Sequence, residues 1–283
     1  MLDEDTRLLP TEEDLPDSDE KPVDHELQLL APMLLRGTLL LLWADRMDWF
    51  FGVNLGIYPN PYEPAIGPDG FLSLGVDRVR PNHKLRLSYL VYQEKVMPQW
   101  VLEVVSKKPG GEYTEKRRRY AEMGVLYYTI YNPSHHRRDR HEPFEVYRLE
   151  QGDYVRQPGN PVWMPELGLG IGHERGTHEQ VTRDWLYWYD QQGQRYPAPE
   201  DVLRQERILR ERESLMRREL EEQVEQAETQ LEQAETQLEL ERQQAQQQER
   251  QTIARNLLRK QLDLETIAEV TGLTMAELRD LSL

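Results

Sequence analysis

Three residues of this 283-residue chain combine a reactive side chain with a position that sequence pattern can define. The first is Asp69, in Gly-Pro-Asp-Gly immediately before the strand-like run GFLSLGV. The same tetrapeptide is also strong turn chemistry, so on its own it says little. The second is Glu103 inside QWVLEVVS. Strand alternation sets Trp100, Leu102 and Val104 on one face and Val101, Glu103 and Val105 on the other. Both faces are then apolar, the pattern of a buried central strand, and a carboxylate in it needs a partner, a metal or a proton. The third is Lys116 in EYTEKRRRYAEMGV, on a helical stripe with Tyr113, Tyr120 and Met123 at steps of 3, 4 and 3. Of the four consecutive bases it is the one expected to face inward, the plainer alternative being a stem laid on apolar surface with its head in water.

Two acids on neighbouring strands and an inward lysine suit phosphodiester hydrolysis. A hard divalent cation takes one or two protein carboxylates and completes its shell with water and phosphate oxygens. Without an ion, two close carboxylates repel and one holds a proton. The lysine would orient the nucleophile and stabilise developing negative charge.

The elements that must position these groups are legible in outline. ELQLLAPMLLRGTLLLLW, Glu26 to Trp43, reads as a buried helix broken or kinked at Pro32. Strands are expected in WFFGVNLGIY, GFLSLGV, RLSYLVYQ, QWVLEVVS, LYYTIYN, FEVYRLE and DYVRQ. One helix, about Gly111 to Met123 and closed by Gly124, lies between QWVLEVVS and LYYTIYN. A helix crossing between strands implies an α/β or α+β sheet.

In order along the chain, GPDGFLSLGV, SYLVYQE, PQWVLEVVSKKPGGEYTEKRRRYAEMGVLYYTIYNP and WMPELGLGIG resemble the Uma-type restriction endonucleases, a branch of the PD-(D/E)XK nuclease superfamily. The resemblance covers about Leu27 to Pro199 and rests on the combined order EVVS, EYTEK, YAEMGV and YNP. It implies a restriction-endonuclease-like α/β fold, a mixed sheet with flanking helices, and a Mg²⁺-dependent (or Mn²⁺-dependent) DNA endonuclease. Under it Asp69 and Glu103 are the metal ligands and Lys116 the catalytic lysine. The superfamily's lysine position, two after Glu103, is Val105 here; the resemblance to the Uma-type branch implies a lysine on the following helix instead, which Lys116 would supply. Glu94, in YQE, is a reserve ligand or outer acid. The rival reading is a catalytically inactive nuclease-fold interaction protein acting through its C-terminal helices.

Charge is unevenly distributed. The formal net charge is −16, of which −8 falls in residues 1–36 and −7 in 200–251, leaving 37–199 neutral. Within the neutral body, Arg78 to Arg119 holds 11 bases and 4 acids. That local +7, with Arg117, Arg118 and Arg119 foremost, is the expected DNA-backbone contact. His135, His136 and His141 in HHRRDRH read as a solvated loop rather than a metal site.

Four regions result: an acidic leader (1–25) expected to be disordered, a nuclease-like domain (26–199), a coiled coil (200–251) and a small helical tail (252–283). EQAETQL occurs twice in tandem, placing Val224, Ala227, Leu231, Ala234 and Leu238 at heptad spacing. Such a seam predicts a homo-oligomer or a helical protein partner. The tail's IAEVTGL and the Thr274–Glu277 capping-box spacing resemble a helix-turn-helix, also seen after some bacterial nuclease and transposase domains. Its last helix offers only Arg279 against Glu277 and Asp280, which favours a packing or docking bundle. No cysteine and no apolar run long enough for a bilayer point to a cytoplasmic protein with no membrane partner.

Overall fold

The apolar run that opens the domain folds as α1 (Leu27–Leu42) in the computed structural model, which describes residues 9–16, 24–81 and 83–281. The helix runs through Pro32 without a break. It buries one stripe, Leu27, Ala31, Leu34, Leu35 and Leu39, and leaves Met33, Leu40 and Leu41 exposed. Packing of that stripe offsets the one backbone hydrogen bond that proline removes. Chain contacts divide the molecule into a unit ending at Gln205 and another beginning at Glu206.

The first unit is built on a six-stranded mixed sheet in the order β1 (Trp49–Val53), β3 (Gly70–Leu74), β5 (Trp100–Val104), β6 (Tyr127–Tyr131), β7 (Phe144–Glu150) and β8 (Asp153–Gln157). Within this sheet, among the described residues, β5 and β6 are the one parallel pair, and α3 (Glu115–Met123) makes the crossover between them. Gly124, at φ 85°, ends α3 in a left-handed conformation that suits glycine, and its N–H reaches the Tyr120 and Ala121 carbonyls. The strand alternation expected for β5 holds. Trp100, Leu102 and Val104 join the core under α1, and Val101 and Val105 join the core under α3.

Two differences from the sequence reading matter. RLSYLVYQ supplies a strand of only two residues, β4 (Tyr89–Leu90), paired in parallel with β2 (Ile57–Tyr58), and then a single helical turn, α2 (Val91–Glu94). The turn brings Glu94 Oε1 to 2.8 Å from Arg86 Nε, whereas eight extended residues would separate them by about 26 Å. The ion pair is thus compatible with the turn and not with a strand extended through Glu94. A second, three-stranded sheet of β9 (Val162–Met164), β10 (Leu169–His178) and β11 (Val181–Tyr189) covers the α1 side of the core. Its hairpin turns at Glu179 and Gln180, both at positive φ, residues that carry no turn signature. A one-turn helix, α4 (His136–Asp139), lies in the basic loop.

Within the leader, residues 9–16 touch the domain. Tyr92 and Tyr58 donate to the Pro10 and Pro16 carbonyls, and Glu12 pairs with Arg80. Asp24 leads into α1, its N–H donating to Gln28 Oε1 at 2.8 Å, and residues 1–8 and 17–23 lie outside the described residues. At the other end, α5 (Pro199–Arg259) begins inside the first unit: Asp201 accepts from the Ala198 N–H and from Arg195, and Glu200 meets His178. The unit thus extends six residues past Pro199.

The second unit takes in the rest of α5, α6 (Leu264–Thr271) and α7 (Met275–Leu281). Ala254, Ile267, Leu273 and Leu278 form its small core. The predicted capping box closes as expected: Thr274 N–H donates to Glu277 Oε2 at 2.7 Å, and Glu277 N–H to Thr274 Oγ1 at 3.3 Å.

Candidate active site

Glu103 is 1 % exposed, and both its oxygens are engaged. Lys116 Nζ donates to Oε2 at 2.6 Å and the Tyr120 hydroxyl to Oε1 at 2.7 Å. These donors lie four residues apart on α3 and so share a face, one helical turn apart. The crossover connection delivers that face to β5, because α3 packs on the side of the sheet from which Glu103 projects. Of the sequence-predicted stripe, Lys116 and Tyr120 reach the carboxylate. Tyr113 precedes the helix and instead stacks on His141, ring centroids 3.6 Å apart.

Asp69 sits at the entry to β3, beside the Gly70–Leu102 pair that joins β3 to β5. Its Oδ2 accepts the Val104 N–H at 2.6 Å, the one hydrogen bond of this carboxylate among the described residues. Gly-Pro-Asp-Gly thus does more than turn the chain, since it ties its acid to the backbone of the strand that bears Glu103. Gln28 of α1 donates to the carbonyl of the same Val104 at 3.3 Å. Glu112, also buried, uses its carboxylate to accept the Gly110 N–H and shapes the loop between β5 and α3.

The electrostatics follow from burial. Desolvation pushes the Asp69 carboxyl well above the usual carboxylate range, and the charge of Glu103 pushes it further than the Val104 N–H and Lys116 can offset. Desolvation also raises Glu103, against Lys116 and Tyr120. For Lys116, burial alone would favour the neutral amine, but the charge and hydrogen bond of Glu103 outweigh it and hold the ammonium. Lys116 and Glu103 therefore meet at ion-pair distance, and burial together with the charge of Glu103 displaces Asp69 furthest toward its protonated form.

The structure brings Asp69, Glu103 and Lys116 together and leaves other candidates elsewhere. Glu94 accepts from Arg86 and Arg80, which hold its carboxyl below the ordinary range although burial opposes them; it is a structural ion pair, not a reserve ligand. Arg117 donates to the Tyr154 carbonyl at 2.7 Å and lies over the Tyr147 ring. Arg118 pairs with Glu122, and Arg119 donates to the Pro64 carbonyl. Sequence reasoning gave Tyr120, Gln28 and Glu112 no role at the site. Tyr120 alone carried a signal, its place four residues after Lys116.

Among the described residues no group of three or more histidine or acidic side chains is arranged to hold a metal. The donors at hand are two carboxylates, hard oxygen ligands, a number that suits magnesium. A cation there would relieve the repulsion that raises Asp69, so the pair fits the ion chemically.

A family model described as Uma2, "Putative restriction endonuclease", matches residues 33–176, a span that contains Asp69, Glu103 and Lys116. A second, the C-terminal HTH domain of the Rpn/YhgA-like nuclease family, matches residues 247–283 and replaces the expected docking bundle with a helix-turn-helix reading of the tail. Comparison with curated proteins and with solved structures gives no match. The family points to nuclease function and the tail model to DNA binding. Since the first match spans more than half of the 283 residues, the chain belongs to the Uma2 restriction endonuclease family.

Proposed function

We propose that the first unit hydrolyses DNA phosphodiester bonds as an endonuclease, with Mg²⁺ or Mn²⁺ held by Asp69 and Glu103. The observation that carries this reading is the buried Asp69–Glu103 pair with Lys116 Nζ 2.6 Å from Glu103. When bound, the ion would supply Lewis-acid polarisation of the phosphate and a more acidic water. The chain's own residues do the rest. Tyr120 and Lys116 fix the Glu103 carboxylate in one rotamer, and the Val104 N–H fixes Asp69. Lys116, held charged, places a positive group where negative charge develops on the phosphate oxygens.

The test uses the full chain with supercoiled plasmid and single-stranded DNA in Mg²⁺, Mn²⁺ or EDTA. Cleavage should require the metal. Asp69→Ala, Glu103→Ala and Lys116→Ala should each lower it by on the order of 100-fold or more, exceeding the 10–100-fold typical of an outer-shell partner. Tyr120→Phe should fall within that outer-shell range. Full activity in Glu103→Ala sinks the assignment. No cleavage by the wild-type chain under any of these conditions favours the inactive interaction protein.

A further inference from the structure

The basic loop HHRRDRH is fastened to the loop that follows Glu103. Arg138 donates to the carbonyls of Lys107 and Ser106 and pairs with Asp139 at 2.6 Å. Asp139 in turn accepts from Asn132 at 2.9 Å, and the same Asn132 amide reaches the Tyr113 hydroxyl at 3.1 Å. Ser106 Oγ closes the first loop on the Lys108 carbonyl at 2.8 Å. Residues 106–108 and 132–141, distant in sequence, therefore form one stitched surface. Arg138 is the stitch, with its guanidinium spent on Asp139 and the two carbonyls at the surface.

Four other bases of this surface stay exposed: Lys107, Lys108, Arg137 and Arg140. None has an ion pair or side-chain hydrogen bond to the described residues. This separates them from the arginines that charge counting picked out, since Arg80, Arg86, Arg117, Arg118 and Arg119 each already have an acid, a carbonyl or a ring. Among the described residues no acid forms an ion pair with the four: Asp139 pairs with Arg138, Glu112 is buried on the Gly110 N–H, and Glu142 is the exposed acid of the loop. Lys107 lies four residues beyond Glu103, within about 14 Å along the chain.

We infer that Lys107, Lys108, Arg137 and Arg140 form the phosphate-backbone site that holds duplex DNA beside the Asp69–Glu103 pair, in place of Arg117–Arg119. The inference rests on the nuclease reading for its ligand and on the stitched loops for its place. Unpaired bases that neutralise phosphates release the counterions condensed on DNA, and loops already tied together by hydrogen bonds add no backbone ordering cost on binding.

The experiment measures binding of a fluorescent DNA duplex to the full chain by anisotropy, in Ca²⁺, across a salt series. Lys107→Ala/Lys108→Ala/Arg137→Ala/Arg140→Ala should weaken binding by at least about tenfold and flatten the log–log salt slope by about 0.9 for each phosphate no longer neutralised. Arg117→Ala/Arg118→Ala/Arg119→Ala should leave the slope unchanged. Lys107→Glu/Lys108→Glu, which alters no buried group, should weaken binding in the same direction. An unchanged affinity and slope in the quadruple variant overturns the site, as does a loss confined to the Arg117–Arg119 variant. Plasmid cleavage separates the two ideas. Metal-dependent cleavage lost in Glu103→Ala, with binding unaffected by the quadruple change, removes the site and keeps the nuclease. A flattened slope without any cleavage keeps the site and removes the nuclease.

Discussion

Strand β5 and helix α5 make opposite use of similar ingredients, apolar residues interspersed with charge. In β5 all five residues are buried, and the single acid is answered by Lys116 and Tyr120 from another element. In α5, 61 residues long, Ala254 is the buried residue, and Val224, Leu231 and Leu238 are 50, 60 and 68 % exposed. The strand's stability comes from tertiary packing on both faces. The helix is held by its own backbone bonds and i,i+4 contacts such as Gln237 to Glu241 and Arg210 to Glu206. A change in β5 should therefore be felt throughout its unit. A change in the exposed seam should be felt only where a second helix covers it.

The largest effect that would break this contrast lies at Trp100, which is fully buried and donates from Nε1 to Thr129 Oγ1 at 2.8 Å. Trp100→Ala should cost about 3–5 kcal/mol, against less than about 0.5 kcal/mol for Leu231→Ala. Thermal unfolding of the two variants checks it, and equal shifts would refute the contrast. Next comes Glu94→Ala, which leaves Arg86 buried without its acid and should cost about 3 kcal/mol by denaturant unfolding.

The same acid carries a pH signature. The folded state holds Glu94 below its unfolded value, so its contribution is present above roughly pH 4.3 and is lost as pH falls through the lower folded value. Glu94→Gln should lose that part of the acid dependence, giving a shallower fall of stability below about pH 4.5, measured as denaturant midpoints from pH 3 to 7. An unaltered slope would place the acid sensitivity in other carboxylates.

Smaller effects sharpen the boundary between the regions. A chain ending at Gln205 should unfold like the first unit of the full chain, whereas one ending at Pro199 lacks the Asp201 and Glu200 bonds and should be destabilised by about 1–2 kcal/mol. Equal melting of the two truncations would return the boundary to Pro199. The proposed pairing of the heptad seam, with a second copy or another helical protein, is tested by light scattering on wild type and Leu231→Lys/Leu238→Lys. The substitution should lower the oligomeric state with no change in the melting of the first unit. A wild-type chain monomeric at all concentrations and retaining no helical partner would make α5 a solvated spacer.

Local pattern alone determined much of the frame. Period-two alternation in QWVLEVVS assigned Glu103 to a face, helical spacing aligned Lys116 with Tyr120, and heptads marked the long helix. These signals work because each depends on neighbours within a few residues. What only the tertiary structure decided lies outside those patterns. An apparent strand ends in a helical turn where Glu94 meets Arg86, and Glu179–Gln180 close a hairpin with no turn signature. Asp69 met Val104, Gln28 met the same residue from α1, and Arg138 joined two loops more than thirty positions apart in its bond to Lys107. Counting charge along the sequence singled out Arg117–Arg119, and a count cannot show that folding gives Arg117 a carbonyl and a ring and Arg119 a carbonyl while Arg118 stays exposed beside Glu122. Whether a base is free is a property of the groups that folding brings to it, and those groups are set by the sheet order and the crossover rather than by adjacency in the chain.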